Sequence, residues 1–345
     1  MKRLSTIGII FLAGIFTFLI LTMISGNKKT LPKRAATSQD KLFVVGTVSP
    51  ITNIIFSVGG DYIALHGLVP EGVNSHTFEP APTDAKILSQ ADIIFVNGLN
   101  LELPTVKMAQ ANMKQGGQIV TLADQTIKQN EWVFDFSFPK EGGDPNPHLW
   151  LNPMHALRYG KIVKDTLATR DPHHAASYEK NYETFKMRIG SLDEAIKKAI
   201  STIPEKNRKL VTYHDSFAYF APRYGMSVMA AIQPSSFSQP SAREVGAIIT
   251  QLKESGVPAI FGSEVFPSTV LAQIGREANV AYIDTLRDDD LPGKPGDSNH
   301  SYIGLMVEDV RTITKALGGD PSALDSIATT NIPGQDQKVL QGRIY

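Results

Sequence analysis

From residue 42 onwards the chain alternates short, unbroken apolar runs with longer stretches in which apolar positions recur every three or four residues. LFVVGTV (42–48), DIIFVNG (92–98) and QIVTL (118–122) have the length and branched-residue content of strands buried on both faces. TDAKILSQA, between the first two, opens on Thr83 and Asp84 as capping residues and continues with helical spacing. The pattern returns in KLVTY (209–213), SVMAAI (227–232), PAIFG (258–262) and VAYID (280–284), separated by REVGAIITQLKES and TVLAQIGREA. Strand and helix in alternation predict parallel sheets flanked by helices. Two such blocks predict an α/β fold of two lobes, each a parallel sheet covered by helices.

Between the blocks, Phe185, Ile189, Leu192, Ile196, Ile200 and Ile203 line one face of a continuous helix. A single long helix joining two lobes restricts them to small tilts rather than wide hinge closure. The predicted organisation is an N-terminal lobe over 41–171, the connecting helix over 172–205 and a C-terminal lobe over 206–318. Residues 319–345 carry little apolar periodicity and read as a loose extension.

The first residues follow another pattern. MKR precedes an apolar run from Leu4 to Ile24, which is followed by the basic stretch SGNKKTLPKR. The run exceeds a secretory h-region of roughly 7–15 residues and reaches the ~20 that span a bilayer. Residues 1–26 therefore read as an export signal or anchor, and 27–40 as a linker. A retained anchor fits better than a cleaved leader, because Ile24 and Gly26 make a poor small-x-small site. Lys28, Lys29, Lys33 and Arg34 outnumber Lys2 and Arg3, which the positive-inside rule reads as the opposite orientation. The placement expected is extracytoplasmic, in the periplasm or at the cell surface.

Composition narrows the chemistry. Of 345 residues 42% are hydrophobic and 20% charged, and 34 basic residues balance 34 acidic ones. No net field draws the protein to nucleic acid. With no cysteine, disulfides, thiolate metal sites, cysteine nucleophiles and lipid-modified cysteine are all excluded. Borderline-metal chemistry must use imidazole and carboxylate.

Three histidines sit in settings that suit it. His76 (EGVNSHTFEPAPTD) and His148 (DPNPHLWLNP) lie in turns fixed by glycine, proline and asparagine, and His214 (VTYHDSF) ends a strand. In an open parallel sheet ligands collect at the carboxyl ends of strands, and Asp284 in VAYIDTL ends the last strand of the second block likewise. Imidazoles with a carboxylate suit zinc, manganese or iron(II). Taken singly, each histidine fits a hydrogen-bonded loop or core residue equally well. His66, His155, His173 and His174 read as surface or locally bonded residues. His300 reads in the same way, although the loop GKPGDSNHSY would let it visit a nearby metal.

HTFEPAPTDAKILSQADIIFVNGLNLE, PHLWLNP, VTYHDSFAYFAPRYGM and YIDTL, in this order and across roughly residues 42–318, resemble the zinc- and manganese-binding solute-binding proteins of bacterial ABC transporters. The resemblance implies two α/β lobes joined by one backbone helix, with a metal ion at their interface held by His76, His148, His214 and Asp284. It also implies a monomer that captures the ion, closes slightly around it, and delivers it to a membrane permease. Manganese-specific members of that family tend to carry glutamate at the position of His214, so histidine there favours Zn²⁺, with Mn²⁺ as the runner-up. Three nitrogen donors point the same way on the Irving–Williams order. Glu79, Asn152, Asp215 and Glu264 are candidates to receive the other N–H of a ligating ring, Glu264 foremost. The chain departs from the family twice. KQNEWVFDFSFPKEGGDPNP lacks the histidines of many zinc-uptake members, and the family's aspartate-proline-histidine run appears as DPNPH.

Two other classes compete. A zinc hydrolase, with Glu264 as base, needs an open metal position; four ligands would close the shell, and neither HExxH nor GxSxG occurs. A metal-dependent adhesin or metallochaperone would use the same fold and tether. The reading favoured is a binding protein, not an enzyme. Imidazole ligation further predicts that binding weakens as pH falls through about 6.5.

Overall fold

Two parallel sheets form where the apolar runs predict them. The computed structural model describes residues 41–233, 235–236, 240–263, 269–332 and 340–341. In the first sheet β1 (Leu42–Gly46) lies between β2 (Ile63–Gly67) and β3 (Ile93–Val96), and β4 (Gln118–Thr121) lies outside β3. In the second, β5 (Lys209–Thr212) is flanked by β6 (Ser227–Ala231) and β7 (Ala259–Ser263), with β8 (Ala281–Leu286) outside β7. A two-residue strand, β9 (Leu340–Gln341), pairs in parallel with β2.

Helices α1 (Ser49–Gly59), α2 (Pro82–Gln90), α3 (Leu103–Asn112) and α4 (Leu122–Thr126) cover the first sheet. They are followed by α5 (Pro153–Arg170) and the 27-residue α6 (Ala175–Ser201). At 1.5 Å per residue α6 is about 40 Å long, enough to run past both sheets. A 3-10 turn at Pro172–His174 separates it from α5, so the predicted connecting helix starts a few residues later than its pattern suggests. Phe185, Ile189, Leu192, Ile196 and Ile200 are all fully buried, which confirms the face read from the spacing.

That face belongs to a core shared by both halves. Trp150, Tyr159 and Tyr302 are fully buried in it. Tyr302 Oη donates to the Trp150 carbonyl (2.7 Å), and the Tyr302 amide donates to Asn53 Oδ1 (2.8 Å). On the C-terminal side Arg223 makes a bidentate pair with Asp193 of α6 (2.7 and 2.6 Å), to which Tyr224 also donates (2.8 Å). The second half adds α7 (Ala242–Ser255), α8 (Thr269–Ala278) and α9 (Tyr302–Ala316). Ser241 and Glu244 form a reciprocal capping box at the start of α7, and Gly256, with φ 65°, ends it in the left-handed conformation. Past α9, where the sequence suggests a loose extension, Leu324 and Ile332 are buried against this core.

From Lys41 on, the chain forms one compact unit containing both sheets. The predicted signal or anchor (1–26) and linker (27–40) lie outside the described residues. No helix among the described residues is long and apolar enough to cross a membrane.

Candidate metal centre

His76 lies in the loop between β2 and α2. Asn74 Oδ1 accepts its amide (2.9 Å), closing a local turn, and the preceding Ser75 amide donates to Asp289 Oδ2 (3.1 Å) from the second half. His148 comes just before a 3-10 turn at Leu149–Leu151 and is fully buried. Its segment is held from below: Asn97 Nδ2 donates to the Pro147 carbonyl (2.9 Å), and Tyr159 Oη donates to Asn97 Oδ1 (2.6 Å). Next to Asn97, Leu99 and Asn100 take positive φ values of 49° and 66°. The buried Glu102 carboxylate fixes that unusual backbone by accepting the Asn97 and Gly98 amides (2.8 and 3.1 Å). His214 follows β5, at the strand's carboxyl end, as its setting predicts.

These segments bring three imidazole edges together. The Nε2 atoms of His76 and His148 are 3.1 Å apart, and those of His148 and His214 are 2.9 Å apart. Four donors at a zinc–nitrogen distance of about 2.0–2.1 Å stand about 3.3–3.4 Å from one another around a tetrahedron. His148 therefore stands at close to that spacing from each of the other two rings, and the ligand atoms of all three lie within 4.8 Å of one another. They are the one group of three or more such residues so placed among the described residues.

Their protonation suits the task. Asn146 Oδ1 accepts from Nδ1 of His148 (2.8 Å), and Gln233 Oε1 accepts from Nδ1 of His214 (2.6 Å). Asn146 cannot turn its amide the other way without losing its bonds, since its Nδ2 donates to Asp135 Oδ1 (3.3 Å) and to the Asp215 carbonyl (2.7 Å). With their protons on Nδ1, the rings of His148 and His214 turn the Nε2 lone pairs towards the common point. Burial lowers the pKa of all three histidines, and for His76 and His148 the neighbouring imidazoles lower it further. At His214 the Asp289 charge and the Gln233 bond oppose the effect in part. The rings are neutral near pH 7, the state that ligates metal.

The carboxylate expected as the fourth ligand does not join this group. Asp284 is exposed within β8, away from the histidines. β8 runs on to Leu286, and its pairing with β7 shifts register after Phe261↔Ile283, so that Ser263 faces Leu286. The strand's carboxyl end thus falls beyond the position the sequence reading gives it, and the residues that leave it towards the site are later ones. Asp288 is buried, accepts Ser263 Oγ through Oδ1 (2.9 Å), and brings Oδ2 to 3.6 Å from His214 Nε2. The signal was the run LRDDDLPG, an acidic triplet straight after an apolar strand.

The expected outer partners differ as well. Asn152 caps α5, with Oδ1 accepting the Met154 amide (3.0 Å) and Nδ2 donating to the Tyr219 carbonyl (3.0 Å). Glu79 is exposed. Asp215 accepts the Ser137 amide (3.0 Å), and burial followed by the charge of Asp135 pushes its carboxyl well above the usual range. Glu264 lies outside the described residues. The ring partners are instead Asn146 and Gln233, amides that no motif marks. Since Nδ1 of His214 is engaged by Gln233 and Asp215 points to Ser137, His214, Asp215 and Ser216 form no relay. A cavity of about 300 Å³ reaches His76, with Asn100, Ser137, Phe138 and Asp144 on its walls.

Comparison with known proteins adds to this geometry. The manganese ABC transporter substrate-binding lipoprotein PsaA of Streptococcus pneumoniae is 26% identical over 317 residues, covering 92% of this chain and 99% of that protein. The periplasmic zinc binding protein TroA of Treponema pallidum superposes with a TM-score of 0.73 at 25% identity, over 80% of this chain and 99% of the other. The Cd-bound periplasmic metal binding protein of Candidatus Liberibacter asiaticus gives 0.70 at 26% identity, over 80% and 100%. The family model described as "Zinc-uptake complex component A periplasmic" matches residues 44–316. The chain belongs to that family.

Proposed function

We propose that this protein is an extracytoplasmic metal-binding protein that captures Zn²⁺ between its two halves, through His76, His148, His214 and Asp288, and delivers it to an ABC transporter permease. The observation that carries the proposal is the convergence of three imidazoles at 2.9–3.1 Å from elements on both sides of the molecule. Three neutral nitrogens and one carboxylate suit Zn²⁺, and the Irving–Williams order ranks it far above Mn²⁺ at such a site. The Asp288 carboxylate supplies the charge that offsets the loss of hydration.

The chemistry is binding without turnover. The ion passes along the cavity beside His76 and exchanges its waters for imidazoles. Asp288 Oδ2 stands 3.6 Å from His214 Nε2, near the spacing of two donors on one cation, so a small tilt is enough for it to close the shell. The shared core along α6 limits the movement to that scale. The protein acts as a monomer, and the apolar segment 4–24 tethers it to the membrane.

Mn²⁺ is the second reading, favoured by the relatives named as manganese transporter components and by the Mn-bound form of the Liberibacter protein. Elemental analysis of protein purified without added metal, followed by Zn²⁺–Mn²⁺ competition, decides between them. Zinc should displace manganese at equal concentration; the reverse would overturn the zinc assignment.

A further inference from the structure

His300 stands apart from the metal centre. It is 1% exposed, and its Nδ1 faces the Pro292 carbonyl at 3.1 Å. A carbonyl can only accept, so the proton lies on Nδ1 and a neutral ring presents its lone pair at Nε2. That Nε2 makes no hydrogen bond, and it faces Glu71 Oε1 at 3.4 Å. Two acceptors so placed repel unless something positive lies between them. Burial lowers the pKa of His300 and Arg287 adds to this, while the Pro292 carbonyl and Asp297 oppose it, so the ring resists becoming that positive group itself.

The spacing fits a bound ion. A nitrogen and an oxygen on one tetrahedral zinc, at about 2.0–2.2 Å each, are about 3.4 Å apart. Asp290, which accepts the Gly72 amide (2.7 Å), adds acidic charge next to Glu71, and Arg287 acts on both Asp290 and His300. We propose that His300 Nε2 and the Glu71 carboxylate hold a divalent cation of the zinc type, completed by water, at an auxiliary site separate from the three-histidine centre. Two protein ligands make it much the weaker site. Its placement gives it a consequence, because Glu71 lies on the loop that carries His76 and His300 follows the segment that carries Asp288. Occupancy ties those two segments together and slows release from the main centre.

Zn²⁺ titration by calorimetry of the full chain and its variants tests this. The unaltered protein should take up one tight and one weak equivalent. Glu71→Gln, a partly exposed and isosteric change, and His300→Ala should each remove the weak equivalent and keep the tight one. His148→Ala should do the opposite. Saturation of the unaltered protein at one equivalent, or a weak equivalent that survives both Glu71→Gln and His300→Ala, overturns the auxiliary site and shows that the pair shares only a proton. A tight equivalent that survives His148→Ala would instead contradict the main-centre assignment.

Discussion

Helix α1 buries all eleven of its residues, whereas α7 buries only Leu252 of its fourteen. The contrast runs through both halves of the molecule. β3 is buried along its whole length, while β8 has Ala281, Asp284 and Thr285 exposed. The N-terminal half merges with α5 and α6 into a shared core, and the C-terminal half keeps a lightly covered outer layer. The ligands follow the division. His148 is fully buried, with Asn146 and the Pro147 carbonyl beside it held by hydrogen bonds, while Asp288 reaches His214 from the loop after β8. A binding protein that must hold and then release an ion gains from this division, because the denser half keeps His76 and His148 in register while the lighter half supplies His214 and the carboxylate.

The largest effect expected is from His148→Ala. Loss of the central donor should weaken Zn²⁺ binding by two or more orders of magnitude in a calorimetric titration, with circular dichroism unchanged. Asp288→Asn should follow, raising the zinc release rate at least tenfold in stopped-flow measurements, because the carboxylate closes the shell from the looser half. Asp284→Asn, in the same assay, should change nothing.

Asn146→Ala and Gln233→Ala should each cost about 10–100-fold in affinity by freeing the ring that the amide orients. The two changes compare the halves directly. If Gln233→Ala were neutral while Asn146→Ala was not, the C-terminal histidine would be set by its strand alone.

Titration with pH is a subtler probe. A sequence-based reading expects binding to fail through about pH 6.5, the ordinary histidine value. Burial lowers all three values in the folded protein, so proton competition sets in only below that point. Zinc affinity should therefore stay level as pH falls through 6.5 and drop at lower pH. The sign for stability agrees: the unfolded chain takes up protons that the folded one refuses, so metal-free stability is present above about 6.5 and declines below it. Urea unfolding at several pH values checks this.

Leu252→Ala should act on stability rather than on binding. It should cost about 2–5 kcal/mol of stability, as a buried leucine does, and leave zinc affinity almost unchanged.

The fold was legible because period carries it. Continuous apolar runs mark strands buried on both faces, and the three-to-four spacing from Phe185 to Ile203 marks α6. The three histidines were legible for a related reason: proline, asparagine and a strand end fix backbones where side chains leave the core. The carboxylate placed beside them was not. Asp284 ends an apolar run, but the β7–β8 register shift carries the strand on to Leu286. Strand length is set by pairing with a neighbour, which local pattern does not record. Asn146 and Gln233 were hidden for the same cause, since an amide becomes a ring partner only when tertiary structure brings the ring to it.

Diffraction at the zinc absorption edge from crystals grown with Zn²⁺ tests the central claim most directly. The account predicts one strong anomalous peak within about 2.0–2.2 Å of Nε2 of His76, His148 and His214 and of an Asp288 oxygen. A peak that leaves out any of the three rings, or that draws its carboxylate from Asp284, would contradict it.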